Sequence, residues 1–184
     1  MNNNNINRRQ VLRTTALIGA ASLFDMNHVL AAAEAEQNLK TPPLSAQEIA
    51  AIEATLGKKG NYSEKQATLN ISLPRNDLKV KIKGEEVPTS FGFGGWVAFK
   101  KTLDGKSTVL MSDTVLLQEE VNPLISAAHA NGLEVSAIHN HFFYEEPRIF
   151  YMHVHGVGEP ENLARRYAAT IRDSKLYPAN QPKA

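Results

Sequence analysis

The spacing of apolar residues changes along the chain, and the first clear pattern predicts a helix. Ser45 and Glu48 form an S-x-x-E capping box, in which each side chain bonds the other residue's backbone N–H. Three apolar residues follow at helical spacing: Ile49, Ile52 and Leu56. Gly57 is the residue type that most often ends a helix, so we expect a helix between Ser45 and Gly57.

Apolar and polar residues alternate in later stretches of the first half, which predicts strands. The four predicted strands are 66–73, 77–83, 91–99 and 107–117. Glycines lie among aromatic residues in the third of these, which indicates a bulge or a close approach to another backbone. No helix follows these glycines, so they are not a nucleotide-binding loop. Asp104-Gly105 predicts a hairpin turn before the fourth strand.

The second half of the chain predicts two further strands between two helices. Asn122-Pro123 is typical of an N-cap followed by proline at the first helical position, and Gly132 ends that helix. The predicted strands are 133–142 and 148–155, and a last helix opens within 156–160. Its apolar stripe is Leu163, Ala164, Tyr167, Ala168 and Ile171. About three helices and runs of strands favour an α+β fold with a mostly antiparallel sheet and a His-rich C-terminal β-hairpin.

The N-terminal segment has the three-part order of a bacterial export signal. Arg8-Arg9 resembles the twin-arginine signature, a weakly apolar run follows, and small residues end the segment. The run is shorter than the roughly 20 apolar residues of a membrane-spanning helix. We expect a signal peptide over 1–35, cleaved near Ala33 or Ala35, and a soluble protein in the periplasm. A linker over 36–44, one domain over 45–174 and a polar tail over 175–184 complete the expected organisation.

Charge and cysteine content exclude several classes of function. Residues 1–35 hold three of the 20 basic and two of the 19 acidic residues, so the rest is balanced at 17 and 17. A balanced chain without a basic patch argues against nucleic acid and against anionic lipid as partners. The chain has no cysteine, so it has no disulfide, no thiolate nucleophile and no thiolate metal ligand.

Four histidines form two H-x-H pairs and are the main candidates for chemistry. They are His139, His141, His153 and His155. Residues i and i+2 of a strand point to the same face, so each pair can present two imidazoles side by side. We expect the register that places His139 opposite His155 and His141 opposite His153, which lets three or four nitrogens converge on one ion. His155 is the weakest member because Gly156 follows it.

Charged residues beside the histidines are candidates for catalysis. His139, His141 and Glu145 match the first half of the cupin metal motif, H-x-H-x(3)-E. Glu145 or Glu146 could serve as a ligand or general base, and Arg148 could hold an anionic small molecule through its planar fork. We expect Asp113 to cap a bend and not to act as a ligand.

The sequence leaves three functions open. The first is a site for a divalent metal, with zinc as the first choice and copper, iron, manganese or nickel also compatible with imidazole ligands. Such a site would suit metal-assisted hydrolysis or a cupin-like oxidative reaction. The second is a non-catalytic module that binds an anionic ligand or a protein partner. The third is a structural network of hydrogen-bonded histidines.

Several motifs together resemble the LppY/LpqO family, a bacterial exported domain of unknown function. They are Pro74-Arg75-Asn76-Asp77-Leu78, the G-W-V-A-F run, 120–123, His139-Asn140-His141, Pro147-Arg148, His153 and Gly156. The resemblance spans most of 45–173 and implies the histidines at 139, 141 and 153 as shared positions. The family's lipoproteins carry an anchoring cysteine and longer members carry two copies of the domain, whereas this chain has neither. We therefore expect a homodimer in place of the tandem pair.

Overall fold

The computed structural model describes residues 40–180, in which three α-helices and nine strands form an α+β fold. The helices are α1 Ala46–Leu56, α2 Gln118–Ala130 and α3 Pro160–Ile171, with short 3-10 turns at Thr89–Phe91 and Pro178–Asn180. The strands are β1 Asn61–Ser63, β2 Thr68–Pro74, β3 Val80–Ile82, β4 Glu85–Val87, β5 Gly94–Lys101, β6 Thr108–Leu117, β7 Glu134–His139, β8 Glu145–Glu146 and β9 Ile149–Gly158. The predicted signal peptide lies outside the described residues, as do residues 36–39 of the predicted linker and the last four residues.

Two antiparallel sheets make up the β structure. The larger sheet has six strands in the order β1-β2-β5-β6-β9-β7, and the smaller has the order β4-β3-β8. This confirms the predicted α+β class and its mostly antiparallel pairing. Strand β3 lies within the predicted strand 77–83, whereas β4 and β8 were not predicted, because strands of two or three residues are too short to give a periodic pattern.

Helix α1 forms as its sequence predicts. The Ser45 hydroxyl accepts the Glu48 N–H, and the Glu48 carboxylate accepts the Ser45 N–H at 2.8 Å. Gly57 closes the helix in the left-handed conformation with φ 68°, a region that costs glycine no steric strain.

Helix α2 begins earlier than its sequence suggests. The predicted start at Asn122-Pro123 is wrong, because α2 begins at Gln118 and contains Pro123. The Glu120 carboxylate accepts the Leu117 N–H at 2.7 Å and so caps the first turn. The prediction followed the preference of proline for the first helical position and missed this acidic cap.

The two faces of the six-stranded sheet pack differently. One face packs on the helices and forms the main core with the predicted stripe of α3, whose five residues are all buried. On the other face, a smaller core joins one end of the sheet to the second sheet. Its members are Val80, Phe93, Val115, Ile149 and Tyr151.

Gly95 explains why the third predicted strand is rich in glycine. A Cβ at this position would lie 2.8 Å from the Leu73 carbonyl oxygen and 3.1 Å from the Asp113 carbonyl oxygen. Strand β5 lies between β2 and β6, so both neighbouring backbones approach here. The prediction of a close backbone approach is confirmed.

A buried arginine fastens the end of β2 to the start of α2. Arg75 is 1% exposed, and its Nη1 donates to the Val115 carbonyl at 2.8 Å and to the Glu120 carboxylate at 2.7 Å. Its Nε and Nη2 donate to the two carboxylate oxygens of Asp77 at 2.8 and 2.9 Å. The buried charge is therefore paired on both sides, as a charge in a core must be.

Candidate functional site: a histidine cluster on the open face of the sheet

The strands that carry the histidines pair as neighbours, but in another register than the sequence suggests. Strands β7 and β9 are antiparallel, and His139 lies opposite Tyr151 instead of His155. A bulge between Val135 and Ala137 then changes the pairing, so that Ala137 faces His153 and Glu134 faces His155. The predicted register is wrong because the connection between the strands does not form a plain hairpin loop.

The connection from 140 to 148 belongs partly to the second sheet. It contains β8, which pairs with β3 through Ile82–Glu145 and Lys81–Glu146. His141 follows the end of β7 and lies in this connection instead of in the sheet. The second sheet therefore determines where His141 and Glu145 stand.

Three of the four histidines form a cluster. The Nε2 atoms of His139 and His153 lie 2.9 Å apart, and the two rings are nearly parallel with centroids 5.1 Å apart. His141 stacks on His139 with a centroid distance of 5.0 Å. Although the predicted register is wrong, the three histidines that the family resemblance implies are in contact: His139, His141 and His153.

A backbone carbonyl fixes the orientation of His153. Its Nδ1 lies 3.2 Å from the Ser112 carbonyl oxygen, which can only accept a hydrogen bond. A neutral His153 therefore carries its proton on Nδ1 and has a lone pair on Nε2, directed at His139. In metal sites, a histidine that binds the metal through one ring nitrogen usually donates the N–H of the other to a carbonyl, a carboxylate or water.

Tyr151 forms the floor of the cluster. Its ring stacks on His141 with centroids 3.4 Å apart, and its hydroxyl donates to the Gly92 carbonyl at 2.8 Å. Burial raises the pKa of Tyr151, and the negative charges of Glu145 and Asp113 raise it further. Tyr151 is therefore a neutral hydrogen-bond donor at physiological pH.

The pKa of His141 is lowered, although the residue is exposed, and this favours its neutral form. Burial lowers its pKa, and the nearby His139 and His153 lower it further, against an opposing effect of Asp113 and Glu145. Neutral imidazole is the form that ligates metal ions or accepts a proton.

Asp113 is a member of the site that the sequence analysis did not select. It lies directly opposite His153 on β9 and Trp96 on β5. Its Oδ1 is buried and has no hydrogen-bond partner among residues 40–180. The alternation of β6 places 111, 113 and 115 on one face, but which strand lies beside β6 cannot be read from that alternation.

The three candidate catalytic residues have different environments. Glu145 is 4% exposed, its Oε1 accepts the Ile149 N–H at 3.2 Å, and its buried Oε2 has no partner within the described chain. Arg148 is half exposed, with its Nε 4.0 Å from Glu145 Oε1. Glu146 is exposed and lies opposite Lys81. Only Glu145 is close enough to affect the pKa of His141 and Tyr151.

His155 makes its polar contact away from the other three histidines. Its Nδ1 lies 3.8 Å from Glu134 Oε2, and its backbone is opposite Met111 on β6. Ring contacts join 139, 141, 151 and 153, and the described structure shows none to His155. Among residues 40–180, no three His, Asp or Glu side chains already stand in the geometry of a metal site.

Fold and site together define an α+β domain with a histidine and carboxylate cluster beside the junction of its two sheets. Residues 50–173 match the family described as Domain of Unknown Function (DUF1259), and the chain belongs to this family. Comparison with curated proteins and with solved structures gave no match. No helix within residues 40–180 is long and apolar enough to cross a membrane.

Proposed function

We propose that this protein binds a divalent metal ion through His139 and His153, with Asp113 and His141 as further ligands. The observation that carries the proposal is the 2.9 Å separation of the two Nε2 atoms, with the other nitrogen of His153 on the Ser112 carbonyl. Two ligands of one ion lie about 2.9–3.3 Å apart when each bond is about 2.05 Å. The pair therefore needs only a small rotation of the rings to share an ion.

Asp113 Oδ1 supports the proposal because a buried carboxylate oxygen without a partner is costly. A divalent ion would supply the missing positive charge. Two imidazoles and a carboxylate suit zinc, and they also suit copper, iron, manganese or nickel. Bound there, such an ion would act as a Lewis acid, with Glu145 as the nearby candidate base and Arg148 as the candidate anion contact.

Metal analysis of untagged protein tests this proposal. We expect near-stoichiometric metal by mass spectrometry in the wild type and in His129→Ala, an exposed histidine on α2. We expect at least about a tenfold loss of zinc affinity in His153→Ala and in His139→Ala. Equal metal content in all of these variants, or none in the wild type after reconstitution with each of the five metals, would refute the proposal.

The second candidate function is a metal-free module for an anionic ligand. A distance of 2.9 Å is also that of an N–H···N hydrogen bond between His139 and His153, and Arg148 is half exposed beside the cluster. Under this alternative, chelators leave the melting temperature unchanged. Inorganic phosphate then protects the wild type but not Arg148→Ala.

We further propose that the chain is exported to the periplasm through the Arg8-Arg9 segment and cleaved near Ala33 or Ala35. The order of charged, apolar and small residues supports this. Replacing Arg8 and Arg9 by lysine should retain the chain in the cytoplasm. N-terminal sequencing of the periplasmic form gives the cleavage position.

The family match also supports the proposal that this chain is a single-copy member of the LppY/LpqO group. The shared motifs, including the three clustered histidines, all lie within the matched range 50–173. If the proposal is correct, both copies in two-copy members carry histidines at the positions of 139, 141 and 153.

A further inference from the structure

The open face of the six-stranded sheet carries a second group of side chains that can bind metal, beside the histidine cluster. Met111 on β6 lies opposite His155 on β9, and Glu134 on β7 lies opposite His155 from the other side. Directly opposite residues project to the same face with Cβ atoms about 4.5–5.5 Å apart. A thioether, an imidazole and a carboxylate therefore form one row across neighbouring strands. We name it the methionine row: Met111, His155 and Glu134.

The methionine row is separate from the residues proposed for the divalent site. The next row along the same strands places Asp113 opposite His153, and both belong to that site. Successive residues on one face of a strand lie about 7 Å apart. The ring contacts of His139 and His153 do not include His155. Loss of one site therefore leaves the ligands of the other in place.

The methionine row is open to solvent. Met111 is 36% exposed, and 32% of the His155 side chain is accessible. The smaller core covers this face at its opposite end, through Val115 and Tyr151. On β5 the neighbour of Met111 is Ala98, whose small side chain does not crowd the sulfur from that side. An ion can therefore reach both the sulfur and the imidazole without any movement of the backbone.

Glu134 determines which nitrogen of His155 is free to bind. Its Oε2 lies 3.8 Å from His155 Nδ1. The negative charge favours the tautomer with its proton on Nδ1, which leaves a lone pair on Nε2. His153 has the same arrangement, with its Nδ1 beside the Ser112 carbonyl. A carboxylate or carbonyl on the other ring nitrogen is the usual surrounding of a histidine that binds metal.

We infer that Met111 and His155 bind a monovalent copper ion, Cu(I), through the thioether sulfur and Nε2. A thioether is a soft, neutral ligand that favours Cu(I), and imidazole also binds copper. Zinc is bound in proteins by thiolate, imidazole and carboxylate ligands, a set that does not include the thioether. Glu134 balances the charge of the ion. The inference depends on the register of β6, β9 and β7 and not on the proposed divalent site.

NMR of the methionine methyl groups of the full chain tests the inference, with Ag(I) as a redox-inert probe for the Cu(I) site. The chain has four methionines, and Met111→Leu identifies the Met111 signal by its loss. Stoichiometric Ag(I) should shift the Met111 methyl and leave that of Met152, which is buried in the main core. In His155→Ala, the same shift should require at least about tenfold more Ag(I). A Met111 methyl that does not shift, or that shifts equally in His155→Ala, would overturn the inference.

The affinity for Cu(I) provides a second measurement, by competition with a chromophoric Cu(I) chelator under reducing conditions. We expect a Kd below about 1 µM for the wild type. Met111→Leu should bind at least about tenfold more weakly, because it keeps an apolar side chain of similar volume and removes the sulfur. Met152→Leu is the matched control, since it makes the same change on the other face of the sheet. Circular dichroism shows that each variant is folded, and equal affinities in the wild type and Met111→Leu would contradict the inference.

Zinc separates this inference from the proposed function. Met111→Leu should bind zinc as the wild type does, whereas His139→Ala should lose zinc affinity and still show the Ag(I) shift of the Met111 methyl. A wild type that takes up no zinc but shows this shift would support the inference and refute the divalent site. Loss of both zinc and Cu(I) binding in a folded Met111→Leu variant would indicate one shared site and overturn the inference.

Discussion

At the scale of single residues, the histidine cluster depends on groups around it that hold no charge. The Ser112 carbonyl sets the proton of His153, and the Tyr151 ring carries His141. Neither contact can be predicted from residue type, because one is made by a backbone carbonyl and the other by the face of an aromatic ring. What distinguishes this cluster from a surface patch of histidines is that each ring has a defined orientation.

Asp113→Asn tests the carboxylate of the site. We expect zinc affinity to fall about 10- to 100-fold, because the amide keeps the shape of the carboxylate and removes its charge. A competition titration against a chromophoric chelator measures this. Glu134→Gln is the control, since that carboxylate contacts His155 outside the cluster. An unchanged affinity in Asp113→Asn would remove Asp113 from the proposed ligand set.

At the scale of elements, close backbone packing in the sheet gives a matched pair of substitutions. Gly95→Ala should destabilise the protein by about 1–3 kcal/mol, because its Cβ would meet backbone atoms of β2 and β6 that cannot rotate away. Gly94→Ala should cost much less, since nothing lies within 4 Å of a Cβ there. Urea unfolding of both variants measures the difference. Equal losses would show that the close approach at Gly95 is not the cause.

Arg75 is the other point where elements are joined. Arg75→Met should lower the free energy of unfolding by about 3 kcal/mol, because Asp77 and Glu120 would keep their charges without a buried partner. Chemical denaturation measures the loss. Arg75→Lys should recover only part of it, since lysine cannot form the paired bonds to Asp77. A loss in Arg75→Met no larger than that of an exposed substitution such as Lys106→Met would contradict this account.

The sequence predicts an element correctly where residues close to its ends determine where it begins and ends. It does not predict strand pairing that depends on distant parts of the chain. Helix α1 follows from Ser45, Glu48 and Gly57, which act within one turn of its ends. The register of β7 on β9 depends on a bulge and on β8, which pairs with a strand about sixty residues earlier. The same holds in the site, where H-x-H spacing identifies the histidines but not the cross-strand neighbour Asp113.

At the scale of the whole molecule, the helices cover one face of the large sheet and leave the other partly open. The second sheet closes one end of that open face, and the histidine cluster lies next to the junction. At the other end of that face, Met111 and Val157 are exposed. One open face thus carries the proposed metal site.

The free energy of unfolding of the protein should fall in acid, because the Asp77 carboxylate becomes protonated. Burial alone would raise the pKa of Asp77, but the hydrogen bonds and charge of Arg75 outweigh it and lower the pKa below 3.8. The stabilisation is therefore fully present above pH 3.8 and is lost as the pH falls through the folded-state pKa. Urea unfolding of metal-free protein from about pH 6 to pH 2 measures this.

Asp77→Asn is the control for this pH dependence. Its stability should be lower than that of the wild type above pH 3.8, and the difference should shrink below it. A difference between the two proteins that stays constant down to the lowest pH would contradict the assignment to Asp77.

The bulge in β7 also has a consequence for solubility. β7 is an edge strand of the large sheet, and its outer N–H and C=O groups could template a strand from another molecule. The irregular pairing between Val135 and Ala137 interrupts the even spacing of those groups, and Glu134 adds a charge beside it. We therefore expect the chain to resist joining edge to edge with other copies into open-ended fibres.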